Sequence, residues 1–135
     1  MRKRRKTSRA KLIVKMVDLA KLIAKTRDNF ICVRCKKKVS GVNCQGSHII
    51  PISKSKALQF VPDNIDTLCY HCHLNFWHKN PLEAVAWFKA QDPARLKRLI
   101  TKANDPNVRS LKEYELEEIY IKLQKEYNLL IHNIL

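Results

Sequence analysis

The sequence has no long hydrophobic run, few acidic residues and no internal repeat. No segment approaches the roughly 20 consecutive apolar residues that a membrane-spanning helix needs. No apolar signal-peptide core follows the basic start either, because Lys15 and Asp18 interrupt the one candidate. These absences argue against a membrane partner and predict a cytoplasmic protein, in a compartment where thiols remain reduced.

The scarcity of acidic residues leaves the chain strongly basic. Only 12 Asp and Glu stand against 27 Lys and Arg, which gives a formal net charge of +15. A chain with that imbalance would repel itself unless a polyanion is its normal partner, and we therefore expect it to bind nucleic acid. A basic protein of the membrane surface is the alternative. The length of 135 residues fits one domain with appendages.

Local composition divides the chain into four parts. Residues 1–8 form a basic arm with nothing apolar to bury, which predicts disorder. Residues 9–28 carry apolar side chains at steps of three and four, which predicts an amphipathic basic helix. Residues 29–80 hold both glycines and all five cysteines, and predict short strands and loops followed by a helix near the last cysteines. Residues 81–135 predict a helical extension.

Prolines and a capping pattern predict where the C-terminal helices begin. A proline disfavours helical backbone in the residue before it, so Asn80 ends one helix and Pro81 opens the next. Pro93 opens another helix in the same way. The stretch from Ser110 to Glu113 matches a capping box, and an apolar stripe continues behind it. This stripe either seals the core or forms a homodimer interface.

Two Cys-x-x-Cys pairs separated by 33 residues predict a metal site. The pairs are Cys32 with Cys35 and Cys69 with Cys72, and four thiolates satisfy the tetrahedral preference of structural Zn²⁺. Such a site would also replace part of the core that the region between the pairs lacks. Two unrelated buried pairs are the alternative. Cys44 has no partner at ligand spacing and is interpreted as a small apolar strand residue.

The region around these cysteines resembles the HNH endonucleases. His48 precedes Ile-x-Pro, Asn64 lies midway, and Leu68 to His73 reads Leu-Cys-x-x-Cys-His, in the order and spacing of that family over about Phe30 to His78. The resemblance implies a ββα-metal fold. We therefore expect an α+β protein with a small zinc-bound, treble-clef-like core, flanked by an N-terminal basic helix and C-terminal helices.

A second, narrower likeness is to the phage NinG (Rap) recombination-nuclease family. It is carried by Cys44-Gln45-Gly46-Ser47-His48, by the stretch from Phe60 to Asn64 and by the downstream helices. This likeness implies cutting of branched or junction DNA, recombination proteins as partners, and the host cytoplasm as the location of a phage-encoded enzyme.

Three residues are candidates for the chemistry. Phosphodiester cleavage needs a base that deprotonates water and a cation that stabilises developing charge. His48 suits the base, because a neutral imidazole with a pKa near 6.5 accepts a proton at neutral pH. By resemblance, Asn64 would bind the backbone and orient His48, and His73 would bind a catalytic Mg²⁺ or Mn²⁺. Taken alone, Asn64 also fits an ordinary turn and His73 a cap of the zinc site.

One position departs from the family pattern. HNH enzymes commonly carry aspartate as a metal ligand immediately before the base histidine, where this chain has Ser47. Strand alternation predicts that Gln45 shares a face with Ser47, so its amide oxygen is another candidate ligand. His78 is a third candidate, although a spacing of five from His73 is imperfect for one face of an α-helix. The pattern therefore predicts weak or Mn²⁺-preferring activity.

Basic residues near the motif and at the N terminus are candidate DNA contacts. They lie in the arm, the first helix and the loop after the motif: Arg2, Lys3, Arg4, Arg5, Lys6, Arg9, Lys11, Lys54 and Lys56. Such contacts give affinity that falls with salt and that carries little sequence information. Lys54 and Lys56 are equally compatible with a solvated loop. The aromatic residues Trp77, Trp87 and Phe88 are expected in the core, and His71 is expected to be structural.

These patterns together predict a metal-dependent DNA endonuclease scaffolded by zinc. The competing class is a non-catalytic, zinc-containing module that binds nucleic acid. In such a module, serine in place of aspartate at residue 47 would reflect the loss of catalytic activity. RNA cleavage is a third option. Loss of cleavage in His48→Ala with retained binding would separate the enzyme from the module.

Overall fold

The computed structural model describes residues 7–105 and 111–134. The arginines and lysines of the predicted arm up to Lys6, and Ser110 of the predicted capping box, lie outside this range. Within it, the chain forms α1 Ser8–Arg27, β1 Gln45–His48, β2 Ile65–Leu68, a π-helix His71–His78, α2 Pro81–Gln91, α3 Pro93–Ala103 and α4 Glu113–Ile134. None of the helices in the described part of the chain has the length and apolar character to cross a membrane.

The helix α1 runs across the protein and supplies half of the larger core. Thr7 caps its first turn, since the hydroxyl oxygen accepts a hydrogen bond from the N–H of Ala10 at 3.2 Å. Its buried face carries Met16 and Ile23, which pack against Leu116 of α4. Both helices bury one apolar stripe against each other, and α1 also packs against both strands of the small sheet.

The two strands pair antiparallel, with Gln45 opposite Leu68 and His48 opposite Ile65. A two-stranded sheet is marginal alone, and here α1 covers it while the cysteine-rich turns pack at its end. The mixed fold, with a small antiparallel sheet, a following helix and four clustered cysteines, confirms the predicted α+β class with a zinc-type ββα core.

Two arginines hold β2 from opposite sides. Arg27 at the end of α1 and Arg95 in α3 both donate to the carbonyl oxygen of Ile65, at 2.7 and 3.2 Å. Arg95 also pairs with the carboxylate of Asp66 at 2.8 Å. Burial raises the pKa of Asp66, and the two arginines oppose that rise. The strand is therefore tied to both flanking helices, which keeps the loop before it in place.

The helix α4 begins at a different cap from the predicted one. Glu115 accepts a hydrogen bond from the backbone N–H of Lys112 at 2.9 Å, and the first helical residue is Glu113. The predicted box placed Glu113 three residues after the cap, whereas the structure gives that position to Glu115. This contact is the half of a capping box in which the glutamate side chain bonds back to the backbone at the helix start.

Candidate active site and metal centre

The four predicted zinc cysteines form one cluster. Ligand sulfurs of Cys32, Cys35, Cys69 and Cys72 all lie within 4.8 Å of one another. The Sγ atoms of Cys35 and Cys69 are 3.8 Å apart. Zn–S bonds of about 2.3 Å in a tetrahedron separate sulfurs by about 3.8 Å, so the spacing fits a structural Zn²⁺.

Backbone turns present these sulfurs to one another. The carbonyl of Cys32 accepts from Lys36 N–H at 2.9 Å, and Cys32 N–H donates to the carbonyl of Lys37 at 2.8 Å. Lys36 has a φ of 65°, the left-handed conformation that closes this tight turn. Val33 N–H donates to the carbonyl of Thr67 at 3.0 Å, which ties the turn to β2.

The pKa values of these thiols indicate that the cluster needs a positive charge before all four can ionise. Burial, opposed by the hydrogen bond from Arg34 and reinforced by the neighbouring thiols, raises the pKa of Cys72 to about 12. Burial also opposes ionisation of Cys32, but backbone N–H groups of Cys35 and Cys69 bring its pKa down to about 7. A bound dication would supply the charge that lets all four thiols ionise together, so the donor set fits zinc. The remaining thiol, Cys44, is buried beside the cluster and lies outside the group of four.

The π-helix brings His73 and His78 together. Their Nε2 atoms are 2.9 Å apart and their ring centroids 4.6 Å apart. A π-helix forms i→i+5 hydrogen bonds, so residues five apart lie above one another. The expected misalignment of His78 assumed α-helical periodicity and is wrong for that reason.

A glutamine determines which nitrogen of His73 is free. The amide Nε2 of Gln45 donates to the carbonyl of Val42 at 3.1 Å, which leaves Oε1 pointing at His73 Nδ1 at 2.6 Å. An amide oxygen only accepts, so Nδ1 carries the proton and Nε2 has the lone pair. Gln45 therefore contacts His73, the candidate metal ligand, and orients its ring as residues behind a metal ligand commonly do. This role differs from the predicted one, in which Gln45 binds the metal ion itself.

His73 is neutral near physiological pH. Burial, and after it the charges of His78, Lys21 and His48, together lower its pKa to about 4. A neutral imidazole is the form that binds a metal ion.

In His48 the nitrogen with the available lone pair is Nδ1, whereas in His73 it is Nε2. Its Nε2 lies 3.0 Å from the carbonyl oxygen of Gln59, and a carbonyl oxygen only accepts. The proton therefore sits on Nε2, and Nδ1 is the acceptor. Burial lowers the pKa of His48, the Gln59 contact partly opposes this, and Lys21 contributes to the lowering. The imidazole is thus a neutral group with one available lone pair.

Asn64 holds the backbone that follows His48. Its side chain is fully buried, accepts from Ile50 N–H at 2.8 Å, and donates to the carbonyls of Ile50 and Leu58 at 3.0 and 3.2 Å. The backbone carbonyl of Asn64 accepts from Ile49 N–H at 2.8 Å. These contacts match the backbone-binding arrangement that the resemblance implied for Asn64.

One cavity of about 480 Å³ joins the histidines. His48, His73 and His78 line it, and so do Gly46 and Lys21. Ser47 is 2% exposed and is not among the lining residues, so the structure does not support it as a ligand there. The sequence pattern assigned no role to Lys21. No local motif marks it, because only the packing of α1 across β1 brings it to the histidines.

The other predicted residues are distributed around this centre. Arg9, Lys54 and Lys56 line a separate cleft of about 530 Å³, where Arg9 donates to the carbonyl of Leu111 at 2.6 Å. Lys11 is exposed on α1, and the arm residues Arg2, Lys3, Arg4, Arg5 and Lys6 lie outside the described range. Phe88 is buried, and its ring packs edge-on against half-buried Trp77 at 6.2 Å. Trp87 is half-buried, and His71 is exposed.

Comparison with known proteins gives one match. Residues 32–76 match the family model described as HNH endonuclease, which covers 45 of the 135 residues. No curated protein and no solved structure matches the chain. The match begins at the first zinc cysteine and ends in the π-helix, so it contains His48, Asn64 and His73. It supports a nuclease-type domain with a nucleic acid substrate, and the narrower likeness to the NinG family receives no support from it.

Proposed function

We propose that this protein is a metal-dependent endonuclease that hydrolyses phosphodiester bonds in DNA. The observation that carries the proposal is the shared cavity, which His48 and the paired imidazoles of His73 and His78 line together. A base and a cation site at one phosphate are the minimal requirements for this hydrolysis.

In this proposal His48 is the general base. Its Nδ1 takes a proton from the attacking water while Nε2 stays bonded to the Gln59 carbonyl, which prevents the ring from turning. Asn64 is a positioning residue, because its bonds to Ile50 and Leu58 hold both ends of the loop that starts at His48. The lowered pKa of His48 keeps the base unprotonated at neutral pH.

His73 and His78 are the proposed ligands of the catalytic ion. Their facing Nε2 atoms form a pair of nitrogen donors, and His73 is fixed by Gln45. When bound, a divalent ion supplies positive charge that stabilises the phosphorane and the leaving oxygen. Imidazole suits transition metals better than Mg²⁺, which prefers oxygen ligands, so we propose Mn²⁺ above Mg²⁺.

The zinc cluster serves as the scaffold of this site. Cys69 and Cys72 frame the start of the π-helix, and His73 follows the second of them directly. Fixing two sulfurs on one ion fixes the first turn of the helix and therefore the direction of His73.

DNA is the proposed partner, with branched or junction DNA as the preferred form. The basic composition supports contacts to the nucleic acid backbone, which carry little sequence information. Arg9, Lys54 and Lys56 share a cleft where a strand could be bound. Recombination proteins and a second copy of the chain are further proposed partners, since two sites would cut two strands.

A non-catalytic nucleic-acid-binding module is the second candidate. The specific observation in its favour is the donor set around the histidine cavity, whose lining residues include no carboxylate. A site without carboxylate binds hard cations weakly, and binding of nucleic acid would then be the whole function.

The test is cleavage of supercoiled plasmid and of a four-way junction, with Mg²⁺, with Mn²⁺ and without either. We expect Mn²⁺-dependent cleavage that His48→Ala abolishes while DNA binding persists. His71→Ala is the matched control, because His71 is an exposed histidine on the same π-helix. Equal and negligible cleavage by the wild type and His48→Ala would overturn the enzyme and support the binding module. Including an RNA duplex and a linear duplex identifies the substrate class.

A further inference from the structure

The helix α1 contributes a lysine to the wall of the histidine cavity. Lys21 lines the cavity with His48, His73 and His78, and its side chain is half-buried. The ion pairs formed within residues 7–105 and 111–134 involve Arg27, Arg95 and Arg98 and leave Lys21 without a carboxylate within 4.0 Å. No carboxylate of the described residues therefore forms an ion pair with this ammonium.

Gly46 makes room for this lysine. A Cβ atom at residue 46 would lie 2.6 Å from Cγ of Lys21, and 3.0 Å from its Cβ and Cδ. Carbon atoms of a packed core are seldom closer than about 3.5 Å, so any side chain at residue 46 would displace the lysine stem. The backbone of Gly46 does not need glycine, because Gly41 is the glycine with positive φ. The reason for glycine at this position is the passage of Lys21 into the cavity.

The cavity takes its positive charge from Lys21, because His48 and His73 are neutral near physiological pH. Its lining residues include one lysine and three histidines but neither aspartate nor glutamate. Lys21 also contributes to the lowered pKa of both His48 and His73, which shows that its charge acts on both rings. An unneutralised ammonium in a partly desolvated cavity stabilises an anionic ligand more strongly than a surface lysine does.

We propose that Lys21 binds the scissile phosphate of the substrate, so that the basic N-terminal helix completes the active site. This inference rests on the proposed nuclease function and adds a phosphodiester-binding residue to it. The ammonium stays protonated and donates to a non-bridging oxygen, which gains charge as water attacks phosphorus. The proton of the attacking water passes to His48, the phosphorus–oxygen bond to the leaving strand breaks, and the leaving oxygen takes a proton from solvent water. Lys21 gives up no proton.

Charge-removing and charge-keeping variants at one position test the proposal. Lys21→Met should lower kcat about 100-fold, the loss seen when one transition-state donor is removed. Lys21→Arg should keep most of the activity, because it keeps the charge. The matched control is Lys15→Met, which removes one charge from an exposed position of the same helix outside the cavity. Lys15→Met should leave kcat unchanged at saturating DNA.

A second variant tests the same residue through its neighbour. Gly46→Ala should lower kcat because the new methyl group displaces Lys21, and thermal unfolding will report any cost to stability. In a Lys21→Ala background the same change should have little further effect on kcat, since the displaced group is already missing. Additive losses of kcat in the double variant would mean that Gly46 acts independently of Lys21.

A measurement without catalysis separates this inference from the nuclease proposal. The dinucleotide d(TpT) is titrated into zinc-loaded protein without Mg²⁺ or Mn²⁺, and the ring signals of His48 and His73 are followed by NMR. The phosphate site is supported if the shifts are lost in Lys21→Met and retained in Lys15→Met, even if the wild type cleaves nothing. Shifts that persist in Lys21→Met, or no shifts in the wild type, overturn it. Cleavage by Lys21→Met at the wild-type rate overturns it while the nuclease proposal stands.

Discussion

The guanidinium of Arg34 lies 3.5 Å from the ring centroid of Phe76, and the same side chain donates to Cys72 Sγ at 3.5 Å. Arg34 stands between the two cysteines of the first pair, whereas Phe76 is on the π-helix. One side chain thus joins the first cysteine turn to a sulfur of the second pair and to the helix that carries His73. A cation over an aromatic ring contributes about 0.5–1 kcal/mol at an exposed site. Arg34 therefore links the metal cluster to the helix that carries the histidine site.

Removal of zinc should unfold the cysteine-rich region before the helical layer. The cluster of Cys32, Leu68 and Cys72 is separate from the core that Met16 and Leu116 form between α1 and α4. On addition of a chelator, we expect the tryptophan fluorescence to change at a lower chelator concentration than the helical circular dichroism. Coincident transitions would show that the two cores depend on one another.

Zinc content should depend on four of the five cysteines. Cys72→Ala should lose the bound zinc, because three thiolates leave the tetrahedron incomplete. Cys44→Ala is the control and should retain one zinc per chain, since Cys44 is outside the sulfur cluster. Metal analysis of the purified variants by mass spectrometry measures both values. Loss of zinc in Cys44→Ala would require a different ligand set.

Substitution of Asn64 should cost stability as well as activity. Asn64→Ala removes three hydrogen bonds and leaves the partly buried N–H of Ile50 without its acceptor. We expect a loss of about 2–4 kcal/mol in the free energy of unfolding, measured in urea. The control Asn128→Ala changes an exposed asparagine of α4 and should stay within about 0.5 kcal/mol. If the free energy of unfolding falls as little in Asn64→Ala as in Asn128→Ala, the hydrogen bonds of Asn64 contribute little to stability.

Substitution of His78 should weaken the response to the catalytic metal. His78→Ala removes one of two facing nitrogen donors, and the Mn²⁺ concentration for half-maximal cleavage should rise at least about tenfold. The maximal rate at saturating Mn²⁺ should fall less. His71→Ala on the same helix should leave the Mn²⁺ dependence unchanged. An unchanged dependence in His78→Ala would restrict the proposed ligands to His73.

The imidazole of His48 should titrate below pH 6.5. Burial disfavours its charged form, so the folded protein binds the proton less tightly than an exposed histidine does. The ring is then neutral at pH 7 and becomes charged only as the pH falls below the ordinary value. An NMR titration of zinc-loaded protein measures this, with the His48 signal assigned by its absence in His48→Gln. A midpoint above 6.5 would contradict the assigned burial and weaken the role of His48 as a base at neutral pH.

Short-range sequence patterns predicted much of the fold, and they identified the four clustered cysteines, His48 and His73 of the candidate site. Cysteine spacing predicted the cluster, because two residues between ligands suit a tight turn whatever surrounds it. Prolines predicted the starts of α2 and α3 at Pro81 and Pro93, since proline restricts its own backbone and that of its neighbour. His48 and His73 were recognised from their places in a motif, and the structure brings both to one cavity.

The remaining contacts depend on how the elements pack. The alignment of His78 with His73 depends on a π-helical backbone, and residue types alone predict α-helical spacing. Gln45 contacts His73 across 28 positions of sequence, and Lys21 reaches the histidines only because α1 lies across β1 at Gly46. Local chemistry therefore specified which residues can bind a metal or take a proton. The long-range packing determined which of them meet, because distances between side chains far apart in sequence are absent from any local pattern.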